Sequence, residues 1–425
     1  MSIRAIRILP LLSMLLAAQA PAPDPAALAR HTVDLLLAEK YPEFLAGATA
    51  DVQKGLPQTE LAKLGAVIKG YGAIENVGEA AVTKSGPNSI VTVPVKFANQ
   101  NINFRVIINS GGLVAGFFQL PGAVNWQRPE YSKPDRFKER AVTVGEGEWK
   151  LPGTLTVPVG AGPFPAAVLV HGSGPNDRDE TVGGSKMFRD LAEGLASRGI
   201  VVLRYEKRTK LYGPRVAANA KYTVQEEVMD DAAKALALMR AQPEVNGQKV
   251  YTIGHGMGAY LAPRIAEADG KLAGLVLLAG NVRPIEDLMV EQAEYLGVKG
   301  NQLETAKRLQ ASVKKLEVGD EDEPALGALP VSYWVDLKEY HPAAVAKALG
   351  LPMLILQGER DFQVTMTDFG LWKAAVGGGK GVVLKSYPAL NFVFVAGEGK
   401  SLPAEYSKPG HVAAAVIEDI AGFVK

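Results

Sequence analysis

Residue types suited to acyl-transfer chemistry stand in three segments of this 425-residue chain, each just past a run that reads as a buried strand. The middle segment is Val250-Tyr-Thr-Ile-Gly254-His255-Gly256-Met257-Gly258-Ala259. An apolar run there gives way to a glycine-rich turn and then to a helix-forming stretch. That is the context of a G-x-S-x-G elbow, where a sharp strand-to-helix turn lifts a serine hydroxyl above a sheet. Here Gly256 occupies the serine position. Glycine has no hydroxyl, so no acyl-enzyme can form at this point.

The earlier segment, His171-Gly172-Ser173-Gly174-Pro175, follows a strand-like run at once. A glycine-rich turn exposes backbone N–H groups, which an oxyanion hole needs. The bland account is a tight strand exit that requires positive φ. Paired with an elbow about 80 residues on, the turn is expected to aim the Ser173 and Met257 N–H groups at one oxyanion position. The later segment, Met353-Leu-Ile-Leu-Gln-Gly-Glu-Arg-Asp361, ends on an acid in a loop. That is where the orienting carboxylate of a Ser…Asp…His order belongs, although a lone loop aspartate otherwise caps a turn. A base should follow the next strand, Val382–Tyr387, but the loop reads Pro388-Ala-Leu-Asn391-Phe392 and places Phe392 there. His411, ahead of a C-terminal helix, is the only later histidine. It reads as a local packing residue, with the role of substitute base as the alternative. His255 inside the elbow reads as packing beneath the turn.

Charge is nearly balanced, 46 basic against 45 acidic residues, so nothing draws the chain to nucleic acid or an anionic membrane surface. With no cysteine, disulfides, thiol nucleophiles and thiolate metal sites are excluded. The five histidines show no ligand spacing, and neither metal nor cofactor is expected.

Several elements must position these residues. Residues 1–20 have a basic start, a short apolar run and small residues, the pattern of a secretory signal, so export to the periplasm or medium is expected. After a proline-rich spacer, helical spacing over 26–40 and 60–70 precedes strand-like runs at Ile74–Thr83, Ser89–Ala98, Ile102–Asn109 and Leu113–Leu120. These predict a small α+β domain over 26–121, similar to NTF2-like or cystatin-like domains and read as a helper or homodimerisation module. A polar linker over 122–139 follows. From 140 to 425, strand and helix patterns alternate, which predicts a mostly parallel sheet with helices on both faces. Buried-strand candidates are Ala166–Val170, Val201–Tyr205, Val250–Ile253, Leu275–Leu278, Met353–Leu356 and Val382–Tyr387. Thr223-Val-Gln-Glu226 has capping-box form, and a helix-rich insertion over 283–349 is expected to form a cap.

From about Tyr131 to Lys425 the chain resembles secreted bacterial α/β-hydrolases of the esterase type, near the serine-aminopeptidase and dienelactone-hydrolase groups. The resemblance rests on His171-Gly-Ser-Gly-Pro-Asn-Asp-Arg-Asp-Glu180, Leu203-Arg-Tyr-Glu-Lys-Arg-Thr209, Gly254-His-Gly-Met-Gly258, Leu356-Gln-Gly-Glu-Arg-Asp361, Glu398-Gly-Lys-Ser401 and Pro409-Gly-His-Val412. It implies an α/β-hydrolase fold and relatives that act on acyl esters. Carried over, the nucleophile falls on Gly256, the acid on Asp361 and the base on Phe392. Serine to glycine takes one base change, but histidine to phenylalanine takes two at a separate site, so the pair does not read as one accident. Three functions stay open. One is a pseudoenzyme that binds an ester-like small molecule or a partner. Another is a hydrolase using water activated by Asp361 and His411. The third is a structural envelope protein.

Overall fold

A computed structural model of the protein describes residues 24–98, 100–122, 126–323 and 326–425. The expected signal segment, 1–20, lies outside the described residues. The chain divides into two compact units, Met1–Ala123 and Val124–Lys425.

In the first unit the helix Pro25–Leu37 starts at Asp24, whose carboxylate accepts the Ala26 N–H, with proline at the first helical position. The helix Gln58–Lys69 matches the second helical pattern, while two six-residue helices between them, Tyr41–Ala46 and Ala50–Gly55, are too short to show periodicity. The antiparallel sheet comprises β1 (Ile74–Val77), β2 (Ala81–Ser85), β3 (Asn88–Phe97), β4 (Asn101–Ile108) and β5 (Val114–Pro121). Val91, Val93, Val95 and Phe97 alternate inward from β3 and meet Phe104 and Val106 of β4 in the core. The run expected as one strand over 74–83 is two, and both pair with the same edge of β3. Pro94 causes the break. It has no N–H for its edge neighbour. Its ring would also lie 2.9 Å from a Cβ on Gly78, which is free to donate its own N–H to the Pro94 carbonyl.

The second unit is built on an eight-stranded sheet. In chain order its strands are β6 (Phe137–Val144), β7 (Leu151–Pro158), β8 (Phe164–Val170), β11 (Val201–Tyr205), β12 (Val245–His255), β13 (Gly274–Leu278), β14 (Met353–Gly358) and β15 (Val382–Tyr387); β9 (Thr181–Val182) and β10 (Ser185–Lys186) form a separate two-stranded ribbon. Across the sheet the order is β15-β14-β13-β12-β8-β11-β7-β6. The six strands from β8 to β15 run parallel, and β7 and β6 join antiparallel beyond β11. Those two leading strands were not among the strand candidates, and the sheet begins at Phe137 rather than 140.

The apolar runs have a simple cause: both faces are covered, so no position can be polar. Ala166, Val168 and Val170 of β8 pack under the helices Asp230–Arg240 and Met257–Asp269, while Ala167 and Leu169 face Met187–Ala196 and Ala414–Val424. Leu275/Leu277 against Val276/Leu278 and Met353/Ile355 against Leu354/Leu356 divide between the faces in the same way. From β8 the chain crosses to β11 on one side and then returns to β12 on the other. The crevice above β8 and β12 is therefore the topological switch point, where open α/β sheets bind ligands. The helices Ile285–Tyr295, Asn301–Lys315, Val331–Glu339 and Pro342–Leu349 lie between β13 and β14 in sequence. At Thr223 the capping box forms: Glu226 accepts the Thr223 N–H at 2.8 Å and the Thr223 hydroxyl accepts that of Gln225 at 3.0 Å.

The polar stretch expected as a linker is bound to the second unit. Trp126 donates to Asp190 at 2.7 Å, and Arg128 and Ser132 each reach the buried Glu193 at 2.6 Å. A second unit that starts at Pro134 should therefore be less stable than one that starts at Val124. The expected difference is ~2–4 kcal/mol by denaturant unfolding, since two buried carboxylates lose donors. Equal unfolding midpoints would show the stretch to be a tether only.

Candidate active site

Gly256 joins β12 to the helix Met257–Asp269 with φ 51° and ψ −114°, a backbone that few side chains tolerate. Its two motif neighbours are glycine for another reason. A Cβ on Gly258 would lie 2.1 Å from the Val170 carbonyl oxygen, and one on Gly254 would lie 2.2 Å from that of Gly258. The turn is thus pressed against the end of β8. A Cβ on Gly256 would instead meet the Phe392 ring, 3.0 Å from Cζ, with the Gly172 Cα at 3.7 Å. The structure so brings the nucleophile-position glycine, the base-position phenylalanine and the glycine-rich turn together.

That turn is braced at Gly172. Its N–H donates to Glu180 at 2.7 Å, and its carbonyl accepts from the Lys207 ammonium at 2.9 Å. Lys207, itself buried, pairs with Glu227 at 2.7 Å, and Glu227 accepts the Tyr333 hydroxyl of the helix Val331–Glu339. A chain of contacts thus runs from the turn to the cap. His171 donates from Nε2 to the Asp177 carbonyl; burial pushes its pKa down to about 4, so it stays neutral. The N–H groups of Ser173 and Met257 have no acceptor among the described residues.

Beneath the elbow lies a pair that sequence reasoning missed. Glu180 is buried and holds φ 45°, rare for a non-glycine residue, and its Oε1 stands 3.1 Å from His255 Nδ1. The two atoms attract but are not aligned as a good hydrogen bond, which leaves His255 Nδ1 and Glu180 Oε2 unbonded among the described residues. Burial pulls the imidazole pKa down, but the facing Glu180 carboxylate and the Phe392 carbonyl, 2.9 Å from Nε2, outweigh it and raise the pKa. Burial likewise lifts the Glu180 carboxyl, and the His255 charge overrides it. Each group of the pair thus favours the charged form of the other. The available signal was the acid-rich run Asp177-Arg-Asp-Glu180 just after the turn.

Asp361 is buried at the end of β14, where Oδ1 accepts the Gln363 and Val364 N–H groups and Oδ2 accepts from Gln357. Burial pushes its pKa up to about 7, against those N–H groups and the His255 charge. Its loop is tied to the Phe392 loop by the Arg360 N–H on the Leu390 carbonyl. Asn391 organises that second loop: its side chain accepts the Val393 and Val395 N–H groups and donates to Glu405. The Phe392 ring lies 4.3 Å from that of His255, tilted by 46°. His411 is not brought to this cluster. It sits with Asp190 and edge-on to Trp126, engaged with the stretch that precedes β6. The water-activating pair Asp361 and His411 is therefore not assembled.

Two cavities meet above the turn. One, of about 210 Å³, is lined by Ser173, Glu180, His255, Gly256, Gln363 and Phe392 among others. The other, of about 510 Å³, runs under the cap between Leu309, Leu326, Leu329, Trp334 and Leu337. Ser173, Met257 and Ile285 line both.

A family model for serine aminopeptidase, S33, matches residues 168–388. Esterase EstD of Thermotoga maritima is 43% identical over 339 residues, which is 79% of this chain and 79% of that protein. The chain belongs to this hydrolase family. Its sheet order and crossovers are those of the α/β-hydrolase fold. Solved structures similar to it include an esterase of Pyrococcus furiosus, 14% identical over 71% of this chain and 94% of that one, TM-score 0.45. Another is Est1E from Butyrivibrio proteoclasticus, 15% identical over 67% of this chain and 98% of that one, TM-score 0.44. The family match spans the turn at Gly172, the elbow and Asp361, and ends at Pro388, before Phe392.

The Asp361 carboxyl fixes a pH dependence. Its ordinary value is 3.8 and its folded value about 7. Within that window the folded chain holds a proton that the unfolded chain has released. The stability this contributes is complete below the lower value and lost as pH rises through the upper one, up to ~4 kcal/mol in all. Unfolding free energies measured from pH 4 to 8 should fall with pH, and the Asp361→Asn variant should lack that part of the slope. An unchanged slope in the variant would assign the dependence elsewhere.

Proposed function

We propose that this chain keeps the scaffold and oxyanion pocket of its esterase relatives, performs no serine chemistry, and binds an ester-like or acyl-like small molecule in the pocket. The observation that carries this is the contact at Gly256. No hydroxyl is present, and the Phe392 ring fills the space beside the absent Cβ where a base would stand. Phenylalanine has no lone pair to take a proton, so a hydroxyl restored at 256 would remain a weak nucleophile near neutral pH. The oxyanion donors are backbone groups, which side-chain replacement leaves in place. The cavity gives a ligand room, since small-molecule sites typically enclose ~300–1,000 Å³. Hydrolysis by activated water has less support, because His411 is engaged with Asp190 and not with the pocket.

The purified chain should neither label with a fluorophosphonate nor hydrolyse p-nitrophenyl butyrate above background. Gly256→Ser alone should stay inactive and lose ~1–3 kcal/mol of stability, because the positive φ strains a side chain and its Cβ crowds Phe392. Gly256→Ser with Phe392→His supplies a base on a ring with no atom at the Cζ position, which relieves the contact as it restores the chemistry. The double variant should gain at least ~10³-fold in ester turnover over either single variant, since triad members act as a unit. Labelling of the unmodified chain, or equal turnover by all four proteins, would overturn the reading.

A further inference from the structure

The eight-stranded sheet ends differently on its two sides. β6, the outer strand on one side, exposes Lys138, Glu139 and Arg140 in succession. Charged side chains on an edge strand discourage another chain from pairing there. β15, the outer strand on the other side, has no such guard. Val383 is 49% exposed, Val382 and Leu384 are partly buried beside it, and Lys385 is the only charge in the strand.

The parallel ladder to β14 decides which backbone groups of β15 are free. Met353 donates to the Gly381 carbonyl and Glu359 to that of Tyr387, so the odd-numbered residues of β15 bond to β14. The backbone groups of Val382, Leu384 and Ser386 face outward. Of these, the Val382 N–H turns back to the Gly379 carbonyl at 3.2 Å. The N–H groups of Leu384 and Ser386 have no backbone acceptor among the described residues. Antiparallel pairing with a second β15 about a two-fold axis at Leu384 satisfies both. Leu384 exchanges two bonds with its own copy, and the Ser386 N–H meets the Val382 carbonyl. A centre at Ser386 would send the Leu384 N–H to Pro388, beyond the strand, and a centre at Val382 would need the N–H already used. The register at Leu384 also sets Val383 opposite Lys385, so no like charges face each other.

An independent observation lies in the helix Met366–Val376. Its Phe369 packs, with Val382 and Leu384 of β15, against the same core. It exposes Met366, Thr367, Gly370, Leu371 and Ala374, with Lys373 as its only exposed charge. Gly370 stands in the helix interior, where glycine costs ~0.5–1 kcal/mol relative to alanine. A Cβ there would meet nothing within 4 Å, and φ is not positive. Nothing in its own chain requires a glycine. Close approach of a second helix does, since packed helices lie ~8–10 Å apart according to the side chains between them.

We propose that β15 and the helix Met366–Val376 form a self-association surface, on which two copies pair their β15 strands antiparallel about Leu384 and join two sheets into one. Light scattering on the full chain should give twice the mass of one chain, falling to one on dilution. Val383→Lys, which faces Lys385 of the second copy, should weaken the dimer at least tenfold, whereas Val383→Glu should not weaken it. Gly370→Glu should also weaken it at least tenfold, while the dilute monomer unfolds no earlier than the unmodified one. The chain has no cysteine, so Val383→Cys with Lys385→Cys should give a disulfide-linked dimer on oxidation. Lys138→Cys, on the other edge of the sheet, should not. A monomer at every concentration, undiminished affinity in Val383→Lys or Gly370→Glu, equal weakening by Lys and Glu at position 383, or no crosslink through the cysteine pair would each overturn the proposal.

Discussion

Everything at the site depends on how closely the elbow approaches the end of β8. Gly258 sits so near the Val170 carbonyl that a single methyl group there would collide, and Gly254 is equally confined by the backbone of Gly258. A larger residue at either position would push the helix Met257–Asp269 off the sheet. With the helix would go the Met257 N–H, the junction of the two cavities and the contact at Phe392. Gly256 is different in kind. Space exists for a side chain there, limited by one ring, and the backbone angle rather than a collision is what favours glycine. Within one motif, two glycines are required by packing and the third only by conformation.

Beneath that turn the charged groups are arranged to hold backbone rather than to react. Glu180 accepts the Gly172 N–H and Lys207 caps the Gly172 carbonyl, so the oxyanion turn is gripped on the two peptide units that flank one residue. A buried ion pair is by itself weak evidence for stability, because desolvation opposes its attraction. Its effect here is to fix a position. His255 shows why it is no base in this arrangement. Nε2 is committed to the Phe392 carbonyl and Nδ1 faces Glu180, so both ring nitrogens are engaged beneath the turn and neither is aimed at a substrate.

How much of this the chain discloses depends on whether the cause is local. β8, β11, β13 and β14 are legible because burial on both faces leaves an unbroken apolar run, and the order of those runs placed Gly256, Asp361 and Phe392 in neighbouring loops. The β6 and β7 strands are not, since Phe137–Val144 is mostly exposed and charged, and β7 carries Pro152 and Gly153. Their identity comes from pairing with β11 and each other, which no local pattern encodes. Glu180 is illegible for the same reason: its partner His255 lies 75 positions away (255 − 180) and the strain at Glu180 appears only once both are buried. The larger cavity is assembled from the turn after β8, Thr209, Tyr222 and Glu227, the elbow and the cap. It exists in the packing and not in any one segment.

On the proposed reading, Gly256 and Phe392, set beside Asp361, separate two kinds of work that a catalytic triad combines. A hydroxyl and an imidazole there serve only the reaction. Where no such reaction runs, a buried imidazole facing no hydroxyl would hold a polar group from water for no return, and a phenyl ring fills the slot without that penalty. Asp361 has a second duty. Its Oδ1 takes the N–H groups of Gln363 and Val364, and Oδ2 takes that of Gln357. Loss of the carboxyl would orphan the Gln363 and Val364 N–H groups, at ~1–3 kcal/mol each, while the Gln357 side-chain amide keeps the Gly358 and Val364 carbonyls. Burial raises its pKa to about 7, so the loop holds its acid even where ionisation is disfavoured. On the proposed reading, the two positions that would serve only a reaction hold residues without polar side chains, while the one whose oxygens accept backbone N–H groups is an acid.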